Sequence, residues 1–164
     1  RDLPEMSDEL WLWRPDPEAN HISLTMWHLA RIMDWLMNRA LRDGTAADEF
    51  WHRSGWAEKT GYDPTGLGWY GMGILSGYTL EQAAAVPILT PAEMLTYIDE
   101  SHADLKQYLR ALPPNSMDAM APGMPDKRTI YFWCQLSLVD LIHHWGEAVA
   151  IRAMWERTQS NAAK

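Results

Sequence analysis

The sequence predicts an all-α fold, an up-down bundle of the four-helix type. Two positive observations carry this. Apolar residues recur at alternating three- and four-residue spacing over long stretches, the mark of helices that bury a face. Proline, glycine and N-cap residues punctuate those stretches where helices start and stop. One negative observation supports them: no alternating strand pattern, internal repeat or low-complexity tract stands out. With 164 residues, 47% of them apolar, the chain suits one domain over 1–164 that buries a sizeable core.

The opening RDLPEMSDELWLWRPDP is broken by prolines and reads as an N-terminal tether over 1–16. Asp16 followed by Pro17 has the form of an N-cap with proline at the first helical position. From there Ile22, Met26, Leu29, Met33, Leu36 and Ala40 form the stripe of a long amphipathic helix that ends before Gly44. A shorter helical stretch is expected from Ala47 to Lys59. The glycine-dense segment GYDPTGLGWYGMGILSGYT then reads as a long loop. Its plain reading is a flexible connection. Its sharper reading, since long loops often carry function, is a lid over a site from Gly61 to Gly77 with Tyr62, Trp69 and Tyr70 as apolar contacts.

Thr90 as N-cap, Pro91 at the first position and Glu93 at capping-box spacing start the next helix. Met94, Tyr97, Ile98, Leu105, Tyr108 and Leu109 give it one apolar face, and Pro113-Pro114 stops it. The last helix is expected from Thr129 to about Arg157. One of its seams carries Tyr131, Cys134, Leu138, Leu141, Ile142, Trp145 and Val149; a second carries Trp133, Ser137, Asp140, His144, Ile151 and Trp155. A helix apolar nearly all round is expected at the centre of the bundle.

Charge excludes some partners. Fourteen Lys+Arg against 22 Asp+Glu give a net charge of -8, which repels phosphate backbones and anionic headgroups, so neither nucleic acid nor membrane is an expected partner. The single cysteine, Cys134, rules out an internal disulfide framework, fits a reducing compartment such as the cytoplasm, and reads as a packing residue. No apolar run approaches the roughly 20 residues of a membrane span. The glycine-rich loop lacks a Lys-Ser/Thr ending and a preceding strand, so it is no phosphate cradle. Ten tryptophans are expected mostly in the core, with several lining one cavity. Asp34, Asp99 and Glu100 read as solvated helix faces.

Asp140 and His144 are the strongest chemical signal. Side chains at i and i+4 share a helix face, so one more ligand from a facing helix closes a metal site. An isolated carboxylate on a buried helix needs a partner. His28 is the expected third ligand because it lies mid-helix. His21, about 10 Å further along the axis at 1.5 Å per residue, sits near the exposed first turn. The rival pair, His143 with Glu147, points about a quarter turn away. Two nitrogens and one carboxylate leave positions open for water or substrate, as in catalytic rather than structural sites. Spacing alone leaves an Asp-His pair satisfied inside the core as the alternative.

The stretch ISLTMWHLARIMDWLM, followed much later by LVDLIHHWGEAVAIRAM, resembles the DinB-like metal-binding four-helix-bundle superfamily. There a helix with WxxxHLxR-like text carries one ligand, and a closing helix reading (His/Glu/Asp)-x-x-x-His-x-Gly-(Glu/Gln) carries two. His28-Leu29-Ala30 matches the first motif and Asp140-x-x-x-His144-Trp145-Gly146-Glu147 the second. The resemblance covers most of the chain, including LTPAEMLTYIDES, but only these two motifs are diagnostic.

Asp140 stands where many relatives have His. It resembles the carboxylate branch that includes mycothiol-dependent maleylpyruvate isomerase and related thiol transferases. The resemblance implies a divalent metal ion (Zn, Ni or Fe), a low-molecular-weight thiol, and a thiol-dependent S-transferase or isomerase acting on a small molecule. The dense tryptophans suggest an apolar or aromatic one. A non-haem iron redox enzyme and a non-catalytic helical interaction module stay open beside it. In the family, text similar to RDLPEMSDELWLWRP follows a first helix. Either that helix is absent from this sequence, or the opening segment and a partner chain, as in a homodimer, cover the face it leaves.

Overall fold

Ser7 opens a helix where the prolines suggested only a tether. The structure, a computed structural model, describes residues 5–162, so the first four residues of that tether lie outside it. The Ser7 side chain accepts a hydrogen bond from the Leu10 amide at 3.3 Å, capping α1 (Asp8–Leu12). This short helix buries Leu10 and Trp11, and the Trp11 indole donates to the Leu89 carbonyl at 2.8 Å. The opening segment is thereby anchored to the chain just before the second long helix.

The first long helix, α2 (Ile22–Trp35), is capped by His21 rather than Asp16. His21 Nδ1 accepts from the Leu24 amide at 3.0 Å, and its ring is buried rather than near an exposed turn. The Asp16 side chain instead accepts from the Glu18 and Ala19 amides, both at 2.9 Å, and closes only a local turn. Residues 17–20 offer no large apolar side chain that could hold a helical turn against the core. After Trp35 the helix widens into a π turn over Leu36–Ala40, with the Leu41 amide bonded to the Leu36 carbonyl at 2.9 Å.

Every residue of α2 is buried, so this helix, not the last one, runs through the centre. The stretch expected from Ala47 to Lys59 is divided into a 3-10 turn (Ala46–Asp48), α3 (Phe50–Arg53) and α4 (Trp56–Thr60), with Gly55 at φ +80° between the last two. The long loop follows. A short helix not expected from the sequence, α5 (Leu80–Ala84), has a Thr79/Gln82 capping box. Next, α6 (Pro91–Ala111) starts on the predicted Thr90/Glu93 box.

The last helix, α7 (Ile130–Ala162), extends past Arg157. Its second seam faces α2, with Ile151 buried and Trp133 and Trp155 packed against the core. Most of its first seam does not: Tyr131, Leu138, Ile142, Trp145 and Val149 are each more than half exposed, and of this seam Cys134 and Leu141 pack against the core. This corrects the expectation of a central, all-round buried last helix. A sequence apolar on every side reports which faces can be covered, and only the packing decides which face is.

Beneath α2 lies a buried polar network. Arg31 donates to Asp34 Oδ2 at 3.0 Å, to Glu49 Oε2 at 2.5 Å and to the Gly73 carbonyl at 3.1 Å. Tyr97 of α6 donates to Asp34 Oδ2 at 2.7 Å, and the Phe50 and Trp51 amides donate to Asp34 at 2.7 and 2.9 Å. Asp34 is therefore fully buried and holds the start of α3, a correction to its reading as a solvated residue. A charge without its partners there is costly, and this one has them. Edge-to-face rings surround the network, with Trp51 centred 5.8 Å from Trp27 and 5.3 Å from Tyr97.

Candidate metal centre

His28 projects from the middle of α2, and Asp140 and His144 project from the facing seam of α7. One ligand atom from each lies within 4.8 Å of the others. His28 Nε2 is 3.4 Å from Asp140 Oδ2, and His144 Nε2 is 3.7 Å from Asp140 Oδ1. The two imidazole rings stand nearly perpendicular, with centroids 4.6 Å apart. His28 is buried, whereas the side chains of His144 and Asp140 are 28% and 35% exposed, so the group is reached from one side. The His28 imidazole beside Asp140 holds its carboxyl below the ordinary range, against the opposing effect of partial burial.

Each imidazole has its other nitrogen committed. His28 Nδ1 hydrogen-bonds the Ile74 carbonyl, and His144 Nδ1 is 2.8 Å from Glu147 Oε2. A carbonyl and a carboxylate only accept, so both Nδ1 atoms carry a proton and both Nε2 atoms face Asp140, where each offers a lone pair to a metal in the neutral ring. This is the arrangement in which histidines ligate a metal while an outer acceptor fixes their tautomer. The separations agree with it. Two ligands each about 2.1 Å from one ion at the tetrahedral angle lie roughly 3.4 Å apart. The donor set, two imidazoles and one carboxylate, fits a divalent transition ion.

The other histidines fall elsewhere. His143 is exposed, and the i+4 partner expected for it, Glu147, bonds His144 instead. His21 caps α2, and His52 lies against Thr65 and Asp63. The glycine-rich loop reaches the site through its backbone: consecutive carbonyls of Gly73 and Ile74 accept from Arg31 and His28 of α2. Its aromatics divide. Tyr62 packs in the core against Trp27 and Trp51, Tyr70 is 97% exposed, and Trp69 stands at the edge of a cavity beside Asp140.

Sequence reasoning missed both outer acceptors. Glu147 was within reach of it, because i+3 spacing from His144 brings a carboxylate onto the same helix face. Ile74 was not, since every residue has a carbonyl and only the folded loop delivers this one.

Among solved structures, a conserved protein from Enterococcus faecalis has a similar fold, with a TM-score of 0.72 and 23% identity over 92% of this chain and 84% of that one. Comparison with curated proteins finds no match. The family model of the DinB superfamily, whose members are in general metal-binding, matches residues 3–148. With nearly the whole bundle spanned by that match, the chain belongs to the DinB superfamily.

Proposed function

We propose that this protein is a divalent-metal-dependent enzyme whose ion is held by His28, Asp140 and His144, and that it runs a thiol-dependent S-transfer or isomerisation on an apolar or aromatic small molecule. The observation that carries this reading is the pair of imidazoles, each tied at Nδ1 and presenting Nε2 to one carboxylate. A metal bound there supplies Lewis acidity toward a thiol or a water molecule. The chain's own residues do the rest. Ile74 and Glu147 fix the two tautomers, Asp140 contributes negative charge that balances a cation, and the buried wall around His28 limits water on one side.

The thiol cosubstrate rests on the carboxylate at position 140, where the sequence resembles the thiol-transferase branch. The same donor set also describes a non-haem iron site, which makes an oxygen-dependent redox enzyme the second reading. Elemental analysis of the purified protein and of His28→Ala, Asp140→Ala and His144→Ala separates these. Stoichiometric metal in the parent and its loss in all three variants is the expected result. Undiminished metal in Asp140→Ala overturns the ligand set, and iron with oxygen-dependent turnover selects the second reading.

A further inference from the structure

Next to Asp140, Trp35 of α2, Trp133 and Ser137 of α7, and Trp69 and Met72 of the loop line a cavity of about 190 Å³. We infer that this cavity is the acceptor-substrate subsite of the centre and takes a single-ring aromatic compound bearing one hydrogen-bond acceptor. Three observations lead there.

Size comes first. An apolar cavity of roughly 150 Å³ accommodates benzene, so this one accommodates a single ring with a small substituent. The walls come second. Trp35 and Trp133 meet edge to face with centroids 5.8 Å apart, and Trp69 adds a third indole from the loop. Flat aromatic walls favour stacked or edge-on rings by about 0.5–1.5 kcal/mol per contact beyond the area they bury.

Polarity comes third. Among the described residues the indole N–H groups of Trp27, Trp133 and Trp155 are buried with no acceptor, and of these three Trp133 belongs to the cavity lining. A ligand oxygen gives it one. Two of the walls, Trp35 and Trp133, stand on the long helices α2 and α7. Trp69 lies against Gly77, where an added Cβ would stand 2.1 Å from its Cδ1, so the loop's own glycine makes room for that indole. Asp140 is part of the same lining, which puts a ligand here beside the candidate metal ligands.

The catalytic meaning of the subsite rests on the metal-centre reading, whereas ring binding does not require the ion. Acetophenone is therefore a suitable probe, titrated against metal-loaded and chelator-treated protein by saturation-transfer NMR. Cyclohexyl methyl ketone serves as the non-aromatic control. Acetophenone should bind both preparations, with the control at least about threefold weaker. Trp133→Phe, which keeps a ring and removes the donor, should weaken acetophenone about fivefold. Ser137→Leu, which fills the cavity, should weaken it about tenfold or more, with its thermal melt showing that the variant is folded.

No saturation transfer with the parent protein, or unchanged affinity in both folded variants, overturns the subsite. Metal retained without acetophenone binding sinks the subsite alone. Acetophenone binding by a protein that never holds metal upholds the ring site, and removes the metal reading together with the cavity's role as a substrate subsite of that centre.

Discussion

Glu147 accepts a hydrogen bond of 2.8 Å from His144 Nδ1, and this bond turns His144 Nε2 toward Asp140 one turn earlier on α7. Without the carboxylate the imidazole can flip or change tautomer, and one of the three candidate ligands loses its aim. Glu147→Ala should therefore weaken metal binding roughly 10–100-fold while leaving the fold intact. Competition with a calibrated chelator measures it, and an unchanged affinity would show that His144 is oriented by other means.

Gly73 joins the loop to the centre. It sits at φ +66°, and an added Cβ would meet the Pro64 carbonyl oxygen at 2.6 Å, a backbone clash that nothing flexible can relieve. Gly73→Ala should destabilise by about 1–3 kcal/mol. It should also lower metal affinity, because the neighbouring Ile74 carbonyl holds His28. Urea denaturation and metal titration read the two effects separately.

Asp34 is the hub of the buried network, accepting from Arg31, Tyr97, Asn38 and the start of α3. Asp34→Ala leaves Arg31 with fewer compensating charges and two α3 amides without their acceptor. A loss of about 3–5 kcal/mol is expected in chemical denaturation. A loss below about 1 kcal/mol would mean that Glu49 alone satisfies Arg31.

His21 must be neutral to cap α2, because its Nδ1 accepts a hydrogen bond. Burial pushes its pKa down to about 4, with the nearby Arg14 adding to the effect. In the unfolded chain it titrates near 6.5, so between about pH 4 and 6.5 the unfolded state binds more protons and stability rises with pH. The cap's contribution is complete above pH 6.5 and is lost as pH falls through 4. His21→Asn, a cap that does not titrate, should flatten that part of the pH profile by about 1–2 kcal/mol in thermal or urea unfolding.

The outward face of α7 carries Leu138, Ile142, Trp145 and Val149, each more than half exposed. Exposed side chains add little to the fold, so Ile142→Glu with Trp145→Gln should change stability by no more than about 0.5 kcal/mol per site. The pair should also reduce binding of an apolar dye such as anilinonaphthalene sulfonate. A large loss of stability would show that this face is packed in solution.

Much of this was legible in the residues. The Thr90-Pro91-Glu93 start of α6 is local chemistry, since a hydroxyl, a fixed φ and a carboxylate act within one turn. The Asp140/His144 spacing and the mid-helix place of His28 were equally readable, because helical periodicity alone decides which side chains share a face. The capping of α2 was not. Asp16-Pro17 has the stronger local signature, but the side chain that meets an α2 amide is His21, next to the first residue the core can bury.

The sequence by itself determined the helical class, the α6 boundaries and the helix face that Asp140 shares with His144, because those follow from interactions a few residues long. Tertiary structure decided what lies many residues apart. It made α2 rather than α7 the central helix, buried Asp34 against Arg31 and Tyr97, and brought the Ile74 carbonyl 46 positions along the chain to His28. Such contacts depend on which faces pack together, and an apolar pattern states only that a face can be buried.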